Sequence, residues 1–332
     1  MRRLLATFLL VSLITVGVLG FSFVLFIHLP YGQGGDFTIE PGKTVAQITD
    51  DLERHSLISS KRLFKLYVRV KGLDRKIRAG DYKYPPLMTP KALLGYLLKG
   101  DFARVRITIV EGWTAKQIAK YLADRELLSA ESFLAAMRDP LLIQSLGLST
   151  AVLEGYLYPD TYQIYRPKGP EEVVRKLVNR FHEVYYKESF VERAREVGMS
   201  DYDVLVLSSI VEKETGRVEE RPLIASVFLN RLKKGIALAS DPTVIYGLPN
   251  FDGNLRKIDL ETASPYNTYL NPGLPPTPIS NPGRDSLRAV LYPAESDYLY
   301  FVAKGDGSHE FSRTLEEHNK AVYQYQQAPY RN

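Results

Sequence analysis

The stretch DYDVLVLSSIVEKETG, residues 201–216, indicates how the longest predicted domain of the chain, residues 151–332, is folded. Its apolar residues recur at helical spacing, and Gly216 is the kind of residue that follows a helix C-terminus. Asp201 or Asp203 can cap the N-terminus, because an aspartate side chain accepts hydrogen bonds from the free backbone N–H groups there. The stretch therefore predicts an apolar helix that ends beside Gly216, inside a domain with a substantial core.

Two glutamates near the end of this helix differ in their predicted surroundings. Glu214 lies seven positions after Leu207 on the apolar face, whereas Glu212 follows a more polar stripe and is expected to be solvated. Burial disfavours the charged form of a carboxyl group, so a buried Glu214 has a raised pKa and can donate a proton near neutral pH. From spacing alone, the alternative is that Glu214 ends the apolar stripe and pairs with Arg217 or Arg221.

The composition is that of a folded protein with few metal-binding residues. The chain has 332 residues, 45% of them hydrophobic, and no cysteine, which excludes disulfides and thiolate metal sites. Its five histidines form no H-x-x-x-H pair, so no metal and no other cofactor is expected. The net charge of +5 arises from 43 basic and 38 acidic residues that are well interspersed, which favours a mixed solvated surface over nucleic-acid binding.

Residues 1–29 predict a cytoplasmic tip and a membrane anchor. Residues 4–27 carry no charge, and at about 1.5 Å per residue such a helix crosses a hydrocarbon core of about 30 Å. Arg2 and Arg3 precede this run, so the N-terminus is expected in the cytoplasm and the rest of the chain on the periplasmic side of the inner (cytoplasmic) membrane. A cleaved signal peptide is the alternative, but its apolar core is normally about 7 to 15 residues long. Glycine-rich residues 30–36 form a predicted linker.

A strand–helix unit occurs twice, at residues 37–59 and 107–129. The segments FTIEPGKTVAQITDDLERHSLIS and ITIVEGWTAKQIAKYLADRELLS agree at nine positions with a constant offset of seventy. Each copy predicts a strand, a turn with glycine, and a helix whose N-cap is Thr44 or Thr114. A second helix is predicted after each copy, at residues 60–71 and 130–137. The repeat region, residues 37–150, is either a spacer or a carbohydrate-binding region, and both interpretations stay open.

Residues 151–332 predict a mixed α+β domain. Its first segment, LEGYLYPDTYQIYRP, is rich in tyrosine, which suits either stacking on sugar rings or packing at a domain junction. A helix is expected over residues 170–194, and a β-hairpin with a closing helix is expected over residues 298–327. His309 and His318 in that last region are expected to be structural. The inward-facing residues of the predicted helix are Val173, Val174, Leu177, Phe181 and Tyr185.

Several ordered motifs resemble those of one enzyme family. Glu214-Thr215 at the end of an apolar helix looks like the Glu-Ser motif of lysozyme-like lytic transglycosylases. More specifically, the chain is similar to the MltG (YceG-like) endolytic murein transglycosylases, with Tyr158 in place of the usual phenylalanine. The motifs that carry the similarity are EGYLYPDTY (154–162), SIVEKET (209–215), ASVFLNRL (225–232), SDPTVIYGL (240–248), SPYNTYLNPGLPP (264–276) and YLYFVAKGDGSHEFS (298–312).

The resemblance implies both a fold and a reaction. The fold would be α+β, with a single transmembrane helix, small LysM-like strand–helix modules and a mixed α+β catalytic domain. The enzyme would be a lyase that cleaves the bond between N-acetylmuramic acid and N-acetylglucosamine in nascent glycan strands and leaves a 1,6-anhydromuramyl end, in cell wall synthesis and glycan length control. Glu214 would act as acid and then as base. Peptidoglycan, the cytoplasmic membrane and peptidoglycan synthases are the implied partners.

Polar groups that grip the sugar are expected in two of these motifs. The longer one, residues 264–276, is punctuated by proline and glycine, which is typical of an exposed loop. For Asn267, a turn-capping hydrogen bond is an equal alternative. The candidate substrate-binding residues are Asp241, Thr243, Tyr246, Tyr266, Asn267, Thr268 and Tyr269.

Two other functions stay open at this point. The chain could be a catalytically idle glycan-binding scaffold that recruits wall synthases. It could also be a muramidase, which would use water on the same fold. A scaffold would tolerate glutamine in place of Glu214, whereas a muramidase would release a product that is one water heavier.

Overall fold

The structure is a computed structural model that describes residues 2–40, 42–100, 104–165, 167 and 169–327. The protein is mixed α+β, as predicted, and divides into two compact units. The first unit comprises Met1–Val105 and Gln163–Arg166, and the second comprises Arg106–Tyr162 and Pro167–Asn332. The domain limits expected from the sequence, 37–150 and 151–332, do not coincide with the boundaries of these compact units. The division into functional domains stays a prediction.

The first unit combines an N-terminal apolar helix with a two-stranded antiparallel sheet. Its elements are α1 (Arg2–His28), β1 (Gly35–Ile39), α2 (Val45–Arg54), α3 (Lys61–Val70), β2 (Gly80–Tyr84) and α4 (Pro90–Lys99). β1 pairs with β2 so that Phe37 lies opposite Tyr82, and both rings enter one core with Phe64. The predicted apolar helix is confirmed, since Thr7–His28 is long and apolar enough to cross a membrane. Its residue Phe26 is buried in the core of this unit.

Both copies of the repeat form the predicted strand, turn and helix. The first copy is β1 and α2, and the second is β3 (Arg104–Thr108) and α5 (Ala115–Asp124). Thr44 and Thr114 are the N-caps, as predicted, and each forms a reciprocal capping box with the glutamine three residues later. The turns place Gly42 and Gly112 at φ of 87° and 74°, which glycine adopts without strain. The second helices are also confirmed, as α3 and α6 (Ala130–Ala136).

The second unit is arranged around one buried helix, α10 (Asp201–Glu214). Residues 204–211 of α10 are all buried, and α10 packs on α11 and α14. β3 pairs with β4, and β5 pairs with β6. The remaining elements of the chain are α7 (Pro140–Ser145), β4 (Thr161–Tyr165, of which residues 163–165 belong to the first unit), α8 (Pro170–Lys187), α9 (Phe190–Glu196), a 3-10 turn (Val218–Glu220), α11 (Arg221–Lys233), α12 (Asp241–Gly247), α13 (Lys257–Leu260), α14 (Arg284–Leu291), β5 (Tyr300–Ala303), β6 (His309–Ser312), α15 (Leu315–Val322) and a π-helical turn (Tyr323–Gln327).

The N-cap of α10 differs from the prediction. Ser200 caps the helix, because its backbone is extended and its hydroxyl accepts a hydrogen bond from Asp203 N at 3.1 Å. Asp201 and Asp203 instead lie in the first turn, where their charges face the positive end of the helix dipole. The prediction that either aspartate is the N-cap is therefore wrong. The helix ends at Glu214, close to the end expected near Gly216.

The helix predicted over residues 170–194 is in fact two helices. α8 ends at Lys187, and Ser189 takes a left-handed conformation with φ of 55° before α9 begins. This residue redirects the chain, so that Phe190 of α9 is buried next to Tyr185 of α8. The predicted inward face of α8 is confirmed by the burial of Val173, Val174, Leu177, Phe181 and Tyr185.

The predicted C-terminal hairpin and closing helix are confirmed. β5 and β6 are antiparallel, and Tyr300 lies opposite Ser312. The hairpin turn contains Gly305 and Gly307 at positive φ, and Thr314 caps α15 with a capping box.

Loss of a repeat cap is expected to reduce the free energy of unfolding by about 1 kcal/mol. In Thr114→Ala the hydroxyl that accepts from Gln117 N at 3.3 Å is lost, whereas Thr114→Ser keeps a hydroxyl at the same place. Urea unfolding of the detergent-solubilised chain, followed by circular dichroism, should show the loss in the alanine variant only. Equal midpoints for the two variants would contradict the capping role.

Candidate active site

The carboxyl group of Glu214 lies at the end of the central helix and opens on a cavity. Glu214 is the last residue of α10 and lines a cavity of about 510 Å³. The cavity is lined from α12, the loop 264–276, β5, β6 and α15. Glu214 is half-buried as a residue, and it lies between the apolar interior of the unit and a space that can hold a ligand.

Ser240 holds the carboxyl group of Glu214 in place. Its hydroxyl donates a hydrogen bond of 2.5 Å to Glu214 Oε1. Ser240 is itself buried, and its backbone N–H donates to Thr268 Oγ1 at 3.0 Å. The preceding residue, Ala239, has a φ of 48°, in the left-handed region that is strained for a residue with a side chain. The turn is therefore held in a costly conformation that sets the serine against the carboxyl group.

Burial raises the pKa of Glu214 to about 7, because the charged form loses hydration that the protein does not replace. The hydrogen bond from Ser240 lowers this pKa, the negative charge of Asp241 raises it, and the positive charge of Arg231 lowers it. A carboxyl group with a pKa near 7 can give up a proton at neutral pH and take one back, so Glu214 can serve as both acid and base. In the part of the chain that the structure describes, no group of three or more His, Cys, Asp and Glu side chains is placed to hold a metal ion.

Two of the predicted substrate-binding residues lie in the cavity wall with Glu214. Asp241 begins α12, and Tyr269 lies in the loop that follows α13. The Tyr269 hydroxyl donates a hydrogen bond of 2.7 Å to Asp241 Oδ1. Tyr269 is 38% exposed, so its ring is open to a ligand. Together they present a phenol ring and a carboxylate at one edge of the cavity, a combination that suits a sugar.

Three other predicted residues are buried and form hydrogen bonds within the protein. Thr243, Asn267 and Thr268 are fully buried. Thr243 Oγ1 donates to Ser240 O at 2.7 Å and lies 2.8 Å from Thr268 Oγ1. Asn267 Nδ2 donates to two backbone carbonyl groups within residues 260–262, at 2.9 Å each, which is the turn-stabilising alternative raised for this residue. Their polar atoms are thus engaged within the protein.

Tyr246 and Tyr266, the last two predicted residues, pack on each other and do not line the cavity. Their rings lie 4.9 Å apart in an edge-to-face arrangement. The Tyr246 hydroxyl donates to Glu154 Oε2 at 3.1 Å, and the Tyr266 hydroxyl is hydrogen-bonded to Thr277 Oγ1 at 2.9 Å. The two tyrosines therefore tie α12 and the loop to polar groups in the interior.

Glu154 was not singled out from the sequence, although it is the centre of a buried polar network. It is 3% exposed and accepts hydrogen bonds from Ala115 N, at 2.9 and 3.1 Å, and from Asn281 Nδ2, at 3.0 Å. Burial raises its pKa to about 7, and these hydrogen bonds lower it. The available signal was its position in the aromatic run EGYLYPDTY, because a carboxyl group among apolar rings needs hydrogen-bond partners.

Glu212 is not solvated, contrary to the prediction. Its side chain is 4% exposed and forms an ion pair of 2.9 Å with Arg221, and its second carboxylate oxygen accepts from Gly283 N at 2.9 Å. Helical spacing could not reveal this, because both partners belong to other segments. The alternative pairing of Glu214 with Arg217 or Arg221 is also wrong. Arg221 pairs with Glu212, and Arg217 donates to a backbone carbonyl group of the β5–β6 turn at 2.8 Å.

The contribution of Arg231, Tyr300 and His318 to the cavity lining was not anticipated from the sequence. Arg231 donates to two backbone carbonyl groups at 2.6 Å each, and its guanidinium group lies 5.1 Å from the centre of the Tyr300 ring. The ring of His318 stacks with the same tyrosine at 5.2 Å. His309 Nδ1 lies 2.7 Å from Glu220 Oε2, which agrees with the structural role expected for His309.

The chain belongs to the YceG-like family, which matches residues 37–324, and the family predicted from the motifs is confirmed. The endolytic murein transglycosylase of Bacillus subtilis (strain 168) is 35% identical over 306 residues, covering 87% of this chain and 84% of that protein. The endolytic murein transglycosylase of Streptococcus pneumoniae (strain ATCC BAA-255 / R6) is 29% identical over 348 residues, covering 93% of this chain but 62% of the longer relative. The crystal structure of a yceG-like protein from Listeria monocytogenes matches with a TM-score of 0.60 at 36% identity, covering 87% of this chain and 98% of that one.

Removal of the charge on Glu212 is expected to lower the free energy of unfolding by up to about 3–5 kcal/mol, because the buried guanidinium group of Arg221 then keeps only the more distant carboxylate of Glu111, at 3.9 Å, as a counter-ion. Glu212→Gln should therefore unfold at a clearly lower urea concentration than wild type. Glu219→Gln is the matched control, since Glu219 is exposed in the neighbouring 3-10 turn. A midpoint for Glu212→Gln that equals the control would contradict the role of the ion pair.

The raised pKa of Glu214 predicts a stability that depends on pH. The unfolded chain ionises this group near 4.5 and the folded protein near 7, so folding is favoured most below pH 4.5 and loses this contribution as the pH rises to 7. Glu214→Gln lacks the titration, so its stability relative to wild type should increase between pH 4.5 and about pH 8. Urea midpoints of both proteins at the two pH values measure this change. A difference that stays constant with pH would argue against the raised pKa.

Proposed function

We propose that this protein is a membrane-anchored endolytic lytic transglycosylase that cuts nascent peptidoglycan strands between N-acetylmuramic acid and N-acetylglucosamine. The observation that carries the proposal is the Glu214 carboxyl group, which has a pKa near 7 and opens on a cavity large enough for a saccharide. The enzymatic class is the one in the names of its relatives from Bacillus subtilis and Streptococcus pneumoniae.

In the proposed reaction Glu214 acts twice. As an acid it protonates the glycosidic oxygen while the bond from the anomeric carbon to that oxygen breaks. The resulting carboxylate then takes the proton from the C6 hydroxyl of the muramyl sugar, whose oxygen attacks the anomeric carbon. One bond breaks and one forms without water, and Glu214 recovers its proton. The product is a 1,6-anhydromuramyl end.

The surroundings of Glu214 suit both halves of this cycle. The hydrogen bond from Ser240 stabilises the carboxylate after the first proton transfer, and burial favours its return to the protonated form. Asp241 and Tyr269 are the proposed substrate contacts, because they line the same cavity. In this proposal the remaining predicted residues position the wall. They are Thr243, Tyr246, Tyr266, Asn267 and Thr268.

The proposed location follows from α1. Arg2 and Arg3 favour a cytoplasmic N-terminus, and α1 would then place the rest of the chain outside the cytoplasmic membrane as a single-pass protein. An enzyme held at that surface would meet glycan strands as they emerge, which is the basis for a role in wall synthesis and in control of glycan length. Peptidoglycan synthases are the protein partners that this position favours.

The strand–helix repeats are proposed to be LysM-like modules. The first copy lies in the unit that carries α1, and the second lies in the unit that carries Glu214. Since a strand–helix unit leaves an apolar face to be covered, each copy packs within its own unit. Glycan contact by the repeats and a spacer role both remain compatible with this arrangement.

The test is digestion of purified peptidoglycan strands by the full chain in detergent, with the products identified by mass spectrometry. Wild type should release anhydromuramyl products, and Glu214→Gln should reduce the rate by about 10²–10⁴-fold, the usual contribution of a general acid–base group. Glu219→Gln, an exposed glutamate five residues along the chain, should keep the wild-type rate.

Each alternative has its own outcome in this experiment. Products heavier by one water would identify a muramidase. No product from folded wild type on nascent strands would indicate a glycan-binding scaffold. Equal activity of Glu214→Gln and Glu219→Gln would contradict the role of Glu214 as the acid and base.

A further inference from the structure

His318 carries a buried polar atom in the wall of the Glu214 cavity. The residue lines the cavity from α15, and its Nδ1 has no hydrogen-bond partner among the residues that the structure describes. Buried polar atoms in folded proteins are nearly always paired, so an unpaired one requires an explanation. The mechanism proposed above does not use this ring.

The imidazole of His318 is expected to be neutral. Burial lowers its pKa, and the positive charge of Arg231 lowers it as well. A neutral imidazole has one N–H group and one bare nitrogen. Because a buried N–H without an acceptor is rarer than a buried acceptor without a donor, Nδ1 is assigned as the bare nitrogen. Nε2 then carries the hydrogen and remains as a donor for a ligand.

The ring is also held in a fixed position. It stacks with Tyr300 at 5.2 Å and an interplanar angle of 24°. The guanidinium group of Arg231 lies 5.1 Å from the centre of the Tyr300 ring and is anchored to two backbone carbonyl groups at 2.6 Å each. A donor held in this way loses little freedom when a ligand binds.

Apolar side chains flank His318 on the same helix face. Leu315 precedes it by three residues and Val322 follows it by four, and both line the cavity. Helix α15 therefore contributes one neutral N–H donor to the cavity lining, between two hydrocarbon side chains. This pattern matches an acetamido group, which has a carbonyl acceptor and a methyl group, better than it matches a sugar hydroxyl or a carboxylate.

We propose that His318 is a substrate-binding residue that donates a hydrogen bond from Nε2 to the carbonyl oxygen of a sugar N-acetyl group. The proposal rests on the proposed function, since it takes the ligand of the cavity to be an N-acetylated glycan. It gives the C-terminal helix a part in specificity, as the element that distinguishes N-acetylated from de-N-acetylated strands.

The test measures binding without turnover, in the full chain in detergent carrying Glu214→Gln. The probes are peptide-free glycan strands, the same strands after enzymatic de-N-acetylation, and a portion chemically re-acetylated as a control. In the His318→Phe variant the aromatic ring that stacks with Tyr300 is kept and both nitrogens are lost. The Kd for N-acetylated strands should increase about tenfold in this variant, as expected for one hydrogen bond, while the Kd for de-N-acetylated strands should change little.

The outcomes separate this proposal from the one on which it rests. Equal Kd values of the two proteins for N-acetylated strands would overturn the role of His318 and leave the proposed function intact. Failure of folded Glu214→Gln to bind any of the strands would overturn both. Re-acetylated strands should bind as the original strands do, which excludes damage to the glycan.

A second measurement applies even if His318→Phe does not fold. Nitrogen-15 spectra of the histidine rings in Glu214→Gln should show the His318 Nε2 signal shifting when N-acetylated strands are added, with no shift for de-N-acetylated strands. Identical spectra with both probes at saturation would overturn the proposal.

Discussion

The structure depends on the burial of the Glu214 carboxyl group, to which the described residues supply a hydroxyl donor but no salt bridge. Two glutamates lie one residue apart at the end of α10, and their surroundings divide them. The buried side chain of Glu212 forms an ion pair of 2.9 Å with Arg221. Glu214 has the hydroxyl of Ser240 as its hydrogen-bond donor, so burial dominates and its pKa rises to about 7. The buried residues Thr243 and Thr268 and the strained turn at Ala239 hold Ser240 against this carboxyl group, which opens on the cavity.

The local parts of the fold could be predicted from the sequence, whereas its long-range parts could not. The caps Thr44 and Thr114 and the inward face of α8 depend on spacing within a single helix, which a sequence displays directly. The break at Ser189 was missed, because the apolar period continues through a residue whose left-handed backbone is set by packing. Ser200 was missed as the N-cap, because Asp201 and Asp203 are residue types that cap helices equally well.

The same limit applies to the site. Helical period placed Glu214 on the apolar face of its helix, but the family resemblance of the surrounding motifs was needed to favour a catalytic role over a surface pairing. The surroundings of Glu212 could not be predicted, since its partners Arg221 and Gly283 meet it only in the folded chain. Among the predicted contact residues, Asp241 and Tyr269 line the cavity, whereas Thr243, Asn267 and Thr268 are buried. The sequence does not show which side chains of α12 and the loop 264–276 face the cavity.

The central claim is that Glu214 is substantially protonated at neutral pH, and infrared spectroscopy measures this directly. In the full chain labelled with carbon-13 glutamate, the difference between wild type and Glu214→Gln isolates one carboxyl band. The account predicts a protonated C=O band that disappears with a midpoint near 7 as the pH rises. A difference band that titrates near the ordinary glutamate value of about 4.3 would contradict it.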